Sequence, residues 1–174
     1  MFGDVPRVEP ARALGVLRCA GAMARDGRAA AVFVRGVAGS GKTTLLDRAR
    51  REYDGHEGAV LFATGGQNPF RGWFGVAVPD SDAGFAVLEE LCRRATALLA
   101  DGPLTVIFDD AHRCDPLVMR WVDFLLLRSS GLRLLVVLAY DPEARPTPPS
   151  RSRRRRHVTA ARARPRRRRG ARWW

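Results

Sequence analysis

Residues 30–53 read AAVFVRGVAGSGKTTLLDRARREY. An apolar run at 31–34 is followed by the pattern GxxxxGK[ST] at 36–43 and by a helical pattern at 43–53. Glycines in such a loop let the backbone wrap closely, so that successive N–H groups and the helix N-terminus point at one anion. The order strand, glycine-rich loop, helix therefore predicts a phosphate-binding loop.

The side chains of this loop have the chemistry of a nucleoside triphosphate site. Lys42 is predicted to reach the β- and γ-phosphate oxygens, the Thr43 hydroxyl to coordinate Mg²⁺, and Thr44 to contact the α-phosphate. Lys42 is also the only lysine among 30 basic residues. The residues predicted to bind the nucleotide are Gly36, Gly39, Ser40, Gly41, Lys42, Thr43 and Thr44.

Two carboxylates, Asp109 and Asp110, end the apolar run at 104–108. Asp109 is predicted to hold Mg²⁺ together with Thr43. Asp110 is predicted to orient or deprotonate an attacking water as a general base. Lys42 and Asp110 are therefore the predicted catalytic residues, and ATP with Mg²⁺ is the predicted ligand.

Apolar runs and helical patterns alternate along the chain. Continuous apolar runs predict strands buried on both faces, and they lie at 31–34, 59–64, 104–108 and 132–140. The helical patterns lie at 10–26, 43–53, 85–100 and 116–128. This alternation predicts an α/β fold, a three-layer P-loop NTPase core with a mostly parallel sheet that is incomplete at its C-terminal end.

Two further segments carry predictions of their own. Residues 65–81, rich in Gly and Pro, are interpreted as a connection with exposed aromatic side chains. Helix 116–128, with Asp115 as its cap and Pro116 at its first position, is apolar nearly all round and needs cover on more than one side. In an incomplete domain this helix is predicted to be exposed and to bind a partner protein or a second copy of the chain.

The basic character of the protein comes from its C-terminal end. The net charge is +12, but 13 arginines and no acids lie in 144–174, which leaves 17 basic and 18 acidic residues in 1–143. The sequence therefore predicts a nucleotide-binding domain at 1–142 and a disordered arginine-rich tail at 143–174. Two interpretations of the tail stay open: an arm that binds nucleic acid through salt-dependent phosphate contacts, or a reading-frame change near Pro146 in GC-rich DNA.

Other functional classes find little support. Cys19, Cys92 and Cys114 lack the CxxC spacing of a zinc site and are odd in number, so no metal beyond nucleotide-bound Mg²⁺ is predicted. The longest uncharged apolar run, 134–140, is far shorter than a membrane span, and no secretory leader is evident. A cytoplasmic location without membrane contact is expected.

The motifs together resemble a known family. DDAHRCDPLVMRWVDFLL at 109–126 is similar to the Walker B region of the STAND branch of AAA-type ATPases, especially the domain that opens large LuxR-type transcriptional regulators of actinobacteria. RGVAGSGKTTLLD at 35–47, NPFRGWFGVAV at 68–78 and GLRLLVVLAYDP at 131–142 extend the resemblance. It implies a truncated ATP-binding module, related to origin-recognition-complex-like AAA domains, that acts as a conformational switch and as a Mg-dependent ATPase.

Three positions depart from that family pattern. Arg113 replaces a tryptophan, the N-terminal Gly-Arg motif is reduced to Phe2-Gly3-Asp4, and Asp141 stands where the family has an arginine that senses the γ-phosphate. Because an arginine on the transferring phosphoryl group contributes about 10³ to 10⁵ in rate, hydrolysis is expected to be slow. The alternative is a remnant that has lost catalysis and contacts nucleic acid through its tail.

Overall fold

The computed structural model describes residues 9–56, 58–66, 68–78 and 84–144. Residues 145–174, and with them nearly all of the predicted arginine-rich tail, lie outside the described residues. Phe2, Gly3 and Asp4 do as well. The predicted domain boundary at 142 and the two interpretations of the tail therefore stay predictions.

Helices and strands alternate in the predicted order. They are α1 (Pro10–Arg25), β1 (Ala30–Arg35), α2 (Lys42–Asp54), β2 (Ala59–Thr64), α3 (Phe70–Phe74), α4 (Phe85–Asp101), β3 (Leu104–Asp109), α5 (Pro116–Leu127) and β4 (Leu134–Tyr140). One 3₁₀ turn, Ala111–Arg113, follows β3. The strands form a single sheet in the order β1-β4-β3-β2 in which every pair is parallel, so the predicted α/β fold class is confirmed.

The sheet is covered by helices on both faces. Successive side chains of a strand point to opposite faces, and alternate residues of β4 accordingly join two separate cores. Leu134, Val136 and Leu138 pack with residues of α3, α4 and α5. Leu135, Val137 and Ala139 pack with residues of α1 and α2 on the other face. These apolar layers explain why the strands read as continuous apolar runs.

Strand β2 differs from the prediction that every strand is buried on both faces. It pairs with β3 alone and forms one edge of the sheet. Of its six residues only Ala63 is buried, and Thr64 is exposed. Its place at the sheet edge, which its own composition does not show, accounts for the difference.

Helix α5 begins as predicted, because Oδ1 of Asp115 accepts a hydrogen bond from the Leu117 amide at 2.7 Å. The prediction that this helix is exposed is wrong. Its buried side chains are Leu117, Val118, Met119, Trp121, Val122 and Leu125, and Leu127 is its one strongly exposed large apolar residue. The helix is apolar nearly all round because it faces the sheet, α4 and the aromatic residues of α3 together.

Of the aromatic side chains that follow β2, Phe70 and Phe74 are buried and Trp73 is partly buried, which corrects the interpretation of 65–81 as a connection with exposed aromatics. Phe70 is 0% exposed, and its ring lies 5.3 Å from that of Trp121. The ring of Trp73 lies 5.5 Å from that of Phe108 in β3, and its indole N–H donates to the Phe62 carbonyl at 3.3 Å. These residues form the short helix α3, which fills the space between α5 and the sheet.

None of the helices in the described part of the chain combines the length and hydropathy that crossing a membrane requires.

The three cysteines differ in their environment, and this predicts how they react. Cys19 is exposed, whereas burial raises the pKa of Cys92 and of Cys114 to about 11 in each case. Because the thiolate is the reactive form, we expect one thiol per chain to react rapidly with a disulfide reagent at mildly alkaline pH. The other two should react only after unfolding. Replacement Cys19→Ser should remove the rapid phase, and a rapid phase of two or three thiols would contradict this assignment.

Candidate nucleotide-binding site

The loop between β1 and α2 has a backbone shape that requires glycine. Gly39 and Gly41 have φ angles of 71° and 88°, in the left-handed region that other residues seldom adopt. A Cβ atom on Gly36 would collide with the hydroxyl of Ser40. The Gly36 amide donates to the carbonyl of Tyr140 at 3.1 Å, which fixes the loop to the end of β4. The glycines predicted to bind the nucleotide therefore shape the loop.

Lys42 lies beneath this loop. Its side chain is 7% exposed, and Nζ donates to the carbonyls of Gly36 at 2.9 Å and Val37 at 3.1 Å. These partners are neutral, and in the described part of the chain no carboxylate forms an ion pair with Lys42. A buried ammonium held only by carbonyl groups is a favourable partner for an anion.

The structure brings Thr43 and Asp109 together, although 66 positions separate them in the chain. Oγ1 of Thr43 donates to Oδ2 of Asp109 at 2.6 Å. Asp109 is buried, with 4% of its surface exposed. A hydroxyl and a carboxylate are oxygen ligands of the kind that Mg²⁺ prefers, so the pair has the donor chemistry of the predicted metal site.

Ser40 and Thr44 complete the predicted set. Oγ of Ser40 is buried and has no hydrogen-bond partner among the described residues, so the loop carries a polar atom that its own structure leaves unsatisfied. Thr44 is exposed on the first turn of α2. The unsatisfied hydroxyl, the ammonium held by carbonyl groups and the Thr43–Asp109 pair together fit a phosphate group with Mg²⁺.

Asp110 follows β3 in an unusual conformation. Its φ angle is 50°, which makes it the one described residue other than glycine with positive φ. Aspartate is among the few side chains that tolerate this region. The Asp110 amide donates to Oδ1 of Asp109 at 3.0 Å, and its carbonyl accepts from the Arg113 amide at 2.8 Å. The backbone therefore turns sharply at Asp110, and this turn directs the chain away from the sheet directly after Asp109.

Gly65 supports this turn, and the sequence did not predict this role. Its amide donates to the carbonyl of Asp109 at 2.8 Å, so the end of β2 continues its contact with the end of β3. A Cβ at this position would collide with the backbone carbonyl of Asp110 and with the side chain of Arg113. Only glycine allows the two segments to approach so closely.

Asp141 contacts the glycine-rich loop, and the sequence did not predict this contact. Its Oδ2 accepts a hydrogen bond from the amide of Ala38 at 3.0 Å, and its Oδ1 accepts from the amide of Glu143 at 2.9 Å. The Asp141 amide donates to Nδ1 of His112 at 3.3 Å. The pKa of Asp141 lies below its usual value because the Glu143 amide, then the Ala38 amide and the charge of Lys42 favour the carboxylate.

Strand order explains why this contact exists. Strand β4 lies between β1 and β3, so the residue that follows β4 emerges between the loop after β1 and the carboxylates after β3. The crevice at the carboxyl ends of parallel strands is where α/β sheets bind their ligands. Asp141 is an acidic residue directly after an apolar strand. This position indicates a contact with the loop only when the strand order is known.

No cluster of three or more His, Cys, Asp or Glu side chains suited to a metal ion occurs among the described residues. The prediction that no separate metal site exists stays a prediction.

The matches to this chain lie among solved structures. No family model matches the chain, and no curated protein matches it. Among solved structures the chain is similar to PCH-2 from C. elegans, with 14% identity and a TM-score of 0.47 over 88% of this chain and 42% of that one. It is also similar to a structure of Drosophila ORC bound to DNA, with 15% identity and a TM-score of 0.49 over 82% of this chain and 41% of that one. The chain therefore spans less than half the length of either structure, and likeness at this level says nothing about function.

Proposed function

We propose that this domain binds ATP with Mg²⁺ and hydrolyses it slowly, as an AAA/STAND-type module related to LuxR-type regulators. The observation that carries the proposal is the 2.6 Å hydrogen bond between Thr43 and Asp109. A glycine-rich loop alone is compatible with a tight turn between a strand and a helix. A loop hydroxyl bonded to a buried carboxylate from a different element supports the proposal, because both are oxygen groups of the kind that Mg²⁺ binds.

Each side chain has a distinct part in this proposal. The backbone amides of the loop and the N-terminus of α2 would bind phosphate oxygens, and Lys42 would exchange its two carbonyl partners for the terminal phosphates. Thr43 and Asp109 would hold Mg²⁺. When bound, Mg²⁺ neutralises charge on the phosphate oxygens. The Asp110 carboxylate would accept the proton of the attacking water.

Slow hydrolysis follows from the residue at position 141. A cationic side chain at the transferring phosphoryl group is worth about 10³ to 10⁵ in rate. Here a carboxylate stands at the end of β4 and is bonded to the loop. The same site can thus bind a nucleotide and still turn it over slowly.

The proposal is tested by titrating the full chain with Mg-ATP in a calorimeter and by following phosphate release in single turnovers. Asp110→Asn is expected to lower the hydrolysis rate about 100-fold or more, the range of general-base catalysis, while the Kd for Mg-ATP changes less than about threefold. Asp101→Asn, an equal change of charge at the exposed end of α4, is the control and should leave both quantities unchanged. Hydrolysis that survives Asp110→Asn would contradict the role of Asp110, and absence of Mg-ATP binding would contradict the proposed function.

A further inference from the structure

We propose that Asp141 acts as a built-in competitor of the terminal phosphate and makes this site prefer a nucleoside diphosphate to a triphosphate. The inference rests on the proposed function, because it concerns which nucleotide the same loop selects. It goes beyond the absence of an arginine at this position, since it assigns Asp141 a definite contact and a definite effect.

The first step is the contact itself. The amide of Ala38, an exposed residue in the middle of the loop, donates to the Asp141 carboxylate at 3.0 Å. Ala38 lies in the loop that is proposed to bind the phosphates, so this contact holds a carboxylate beside that loop. One amide of the loop therefore has an anionic partner that comes from the chain itself.

The second step is that the contact is held in place from several sides. The Glu143 amide donates to Oδ1 of Asp141, and the Asp141 amide is bound to Nδ1 of His112 in the 3₁₀ turn after β3. Directly before it, β4 is paired with β1 and β3 on its two sides. Asp141 is thus held by the strand end before it and by two hydrogen bonds besides the one to Ala38, and we expect its carboxylate to keep its place when a ligand enters.

The negative charge of Asp141 disfavours a third phosphate. Loop amides surround mainly the α- and β-phosphates, while the loop lysine is needed by the β- and γ-phosphates. The Asp141 carboxylate is close enough to interact with the charge of Lys42. It therefore offsets part of the positive charge that a third phosphate requires, and it repels the additional negative charge that this phosphate brings.

The expected effect is a selectivity measurable with the full chain. Unit charges several ångströms apart at a protein surface interact by an amount that corresponds to about a tenfold change in affinity. We expect the wild-type protein to bind Mg-ADP about tenfold more tightly than Mg-ATP. In Asp141→Asn, which keeps an acceptor for the Ala38 amide but removes the charge, Mg-ATP affinity should rise about tenfold and Mg-ADP affinity should change less than about threefold.

The test is calorimetric titration of the wild type, Asp141→Asn and Glu143→Gln with Mg-ADP and Mg-ATP. Glu143→Gln removes the same charge two positions away on an exposed side chain, keeps the backbone amide that binds Asp141, and should leave the selectivity unchanged. Thermal unfolding of each variant without nucleotide shows that it is folded. The wild-type ratio needs no variant, so the inference can be checked even if Asp141→Asn does not fold.

The outcomes separate the two proposals. The inference would be supported if the wild type and Glu143→Gln bind Mg-ADP more tightly than Mg-ATP and if this difference in affinity is smaller in Asp141→Asn. Binding of both nucleotides with equal affinity by the wild type, or an unchanged ratio in Asp141→Asn, would overturn the inference and leave nucleotide binding intact. Failure of both the wild type and Asp141→Asn to bind either nucleotide would contradict the proposed function, and the inference would fall with it.

Discussion

Lys42→Ala is expected to weaken nucleotide binding at least about 100-fold, which corresponds to about 2.7 kcal/mol of binding free energy. Lys42 supplies the one lysine charge of the chain, and its Nζ is held under the loop by two carbonyls and no carboxylate. The alanine variant loses the cation that phosphate oxygens would bind. It also leaves the carbonyls of Gly36 and Val37 without their donor, which loosens the loop.

This expectation is tested by calorimetry and by thermal unfolding with and without Mg-ADP and Mg-ATP. A ligand at about 100 times its Kd stabilises the folded protein by about 2.7 kcal/mol, so the wild type should melt at a higher temperature with nucleotide and Lys42→Ala should not. Arg48→Ala, which removes one exposed positive charge from the same helix, is the matched control and should bind like the wild type. Equal affinity of Lys42→Ala and the wild type would exclude the loop as the nucleotide site.

Trp121→Ala is expected to lower the free energy of unfolding by about 3 to 5 kcal/mol, as for other large aromatic residues removed from a core. Trp121 is completely buried in α5. Its ring lies 5.3 Å from that of Phe70 and 6.0 Å from those of Trp73 and Phe74. The loss would be a large part of the total stability of a domain of ordinary size, so this variant should be at best marginally folded.

Urea unfolding followed by circular dichroism measures this effect. Trp121→Phe should cost clearly less than Trp121→Ala, because it keeps an aromatic ring and removes an indole N–H that has no hydrogen-bond partner among the described residues. Phe85→Ala, at a position that is 58% exposed, should cost about 1 kcal/mol or less. If Trp121→Ala and Phe85→Ala were equally mild, α5 would not be covered as the structure indicates.

The surroundings of Lys42 could be predicted from the sequence, whereas those of Trp121 could not. The strand, loop and helix around Lys42 were predicted with their correct order, because glycine spacing and apolar periodicity are local properties of the chain. The surroundings of Trp121 were not predicted. Helix α5 was expected to be exposed because the sheet was taken as incomplete, yet α3 and α4 cover it. Phe70 and Trp73 lie in a segment without a clear helical or strand periodicity. Their packing against α5 could therefore not be predicted from the local sequence.

The candidate site shows the same division. Thr43 and Asp109 were paired in advance because each lies at the end of an element that a parallel sheet brings to one edge, and their hydrogen bond follows that expectation. Asp110 was assigned as a general base from its position beside Asp109, and its left-handed backbone and the need for Gly65 were visible only in three dimensions. The contact of Asp141 with Ala38 joins residues 103 positions apart and depends on β4 lying between β1 and β3.

Local chemistry therefore suffices to predict the α/β class, the glycine-rich loop, the Thr43–Asp109 pair and the capped start of α5, since glycine conformation, side-chain charge and apolar periodicity act over a few residues. Strand order, the cover over α5, the edge position of β2 and the carboxylate on the loop depended on the folded chain. These features arise from which elements pack side by side, and that choice reflects the burial of apolar surface over the whole domain. No single segment contains the information for it.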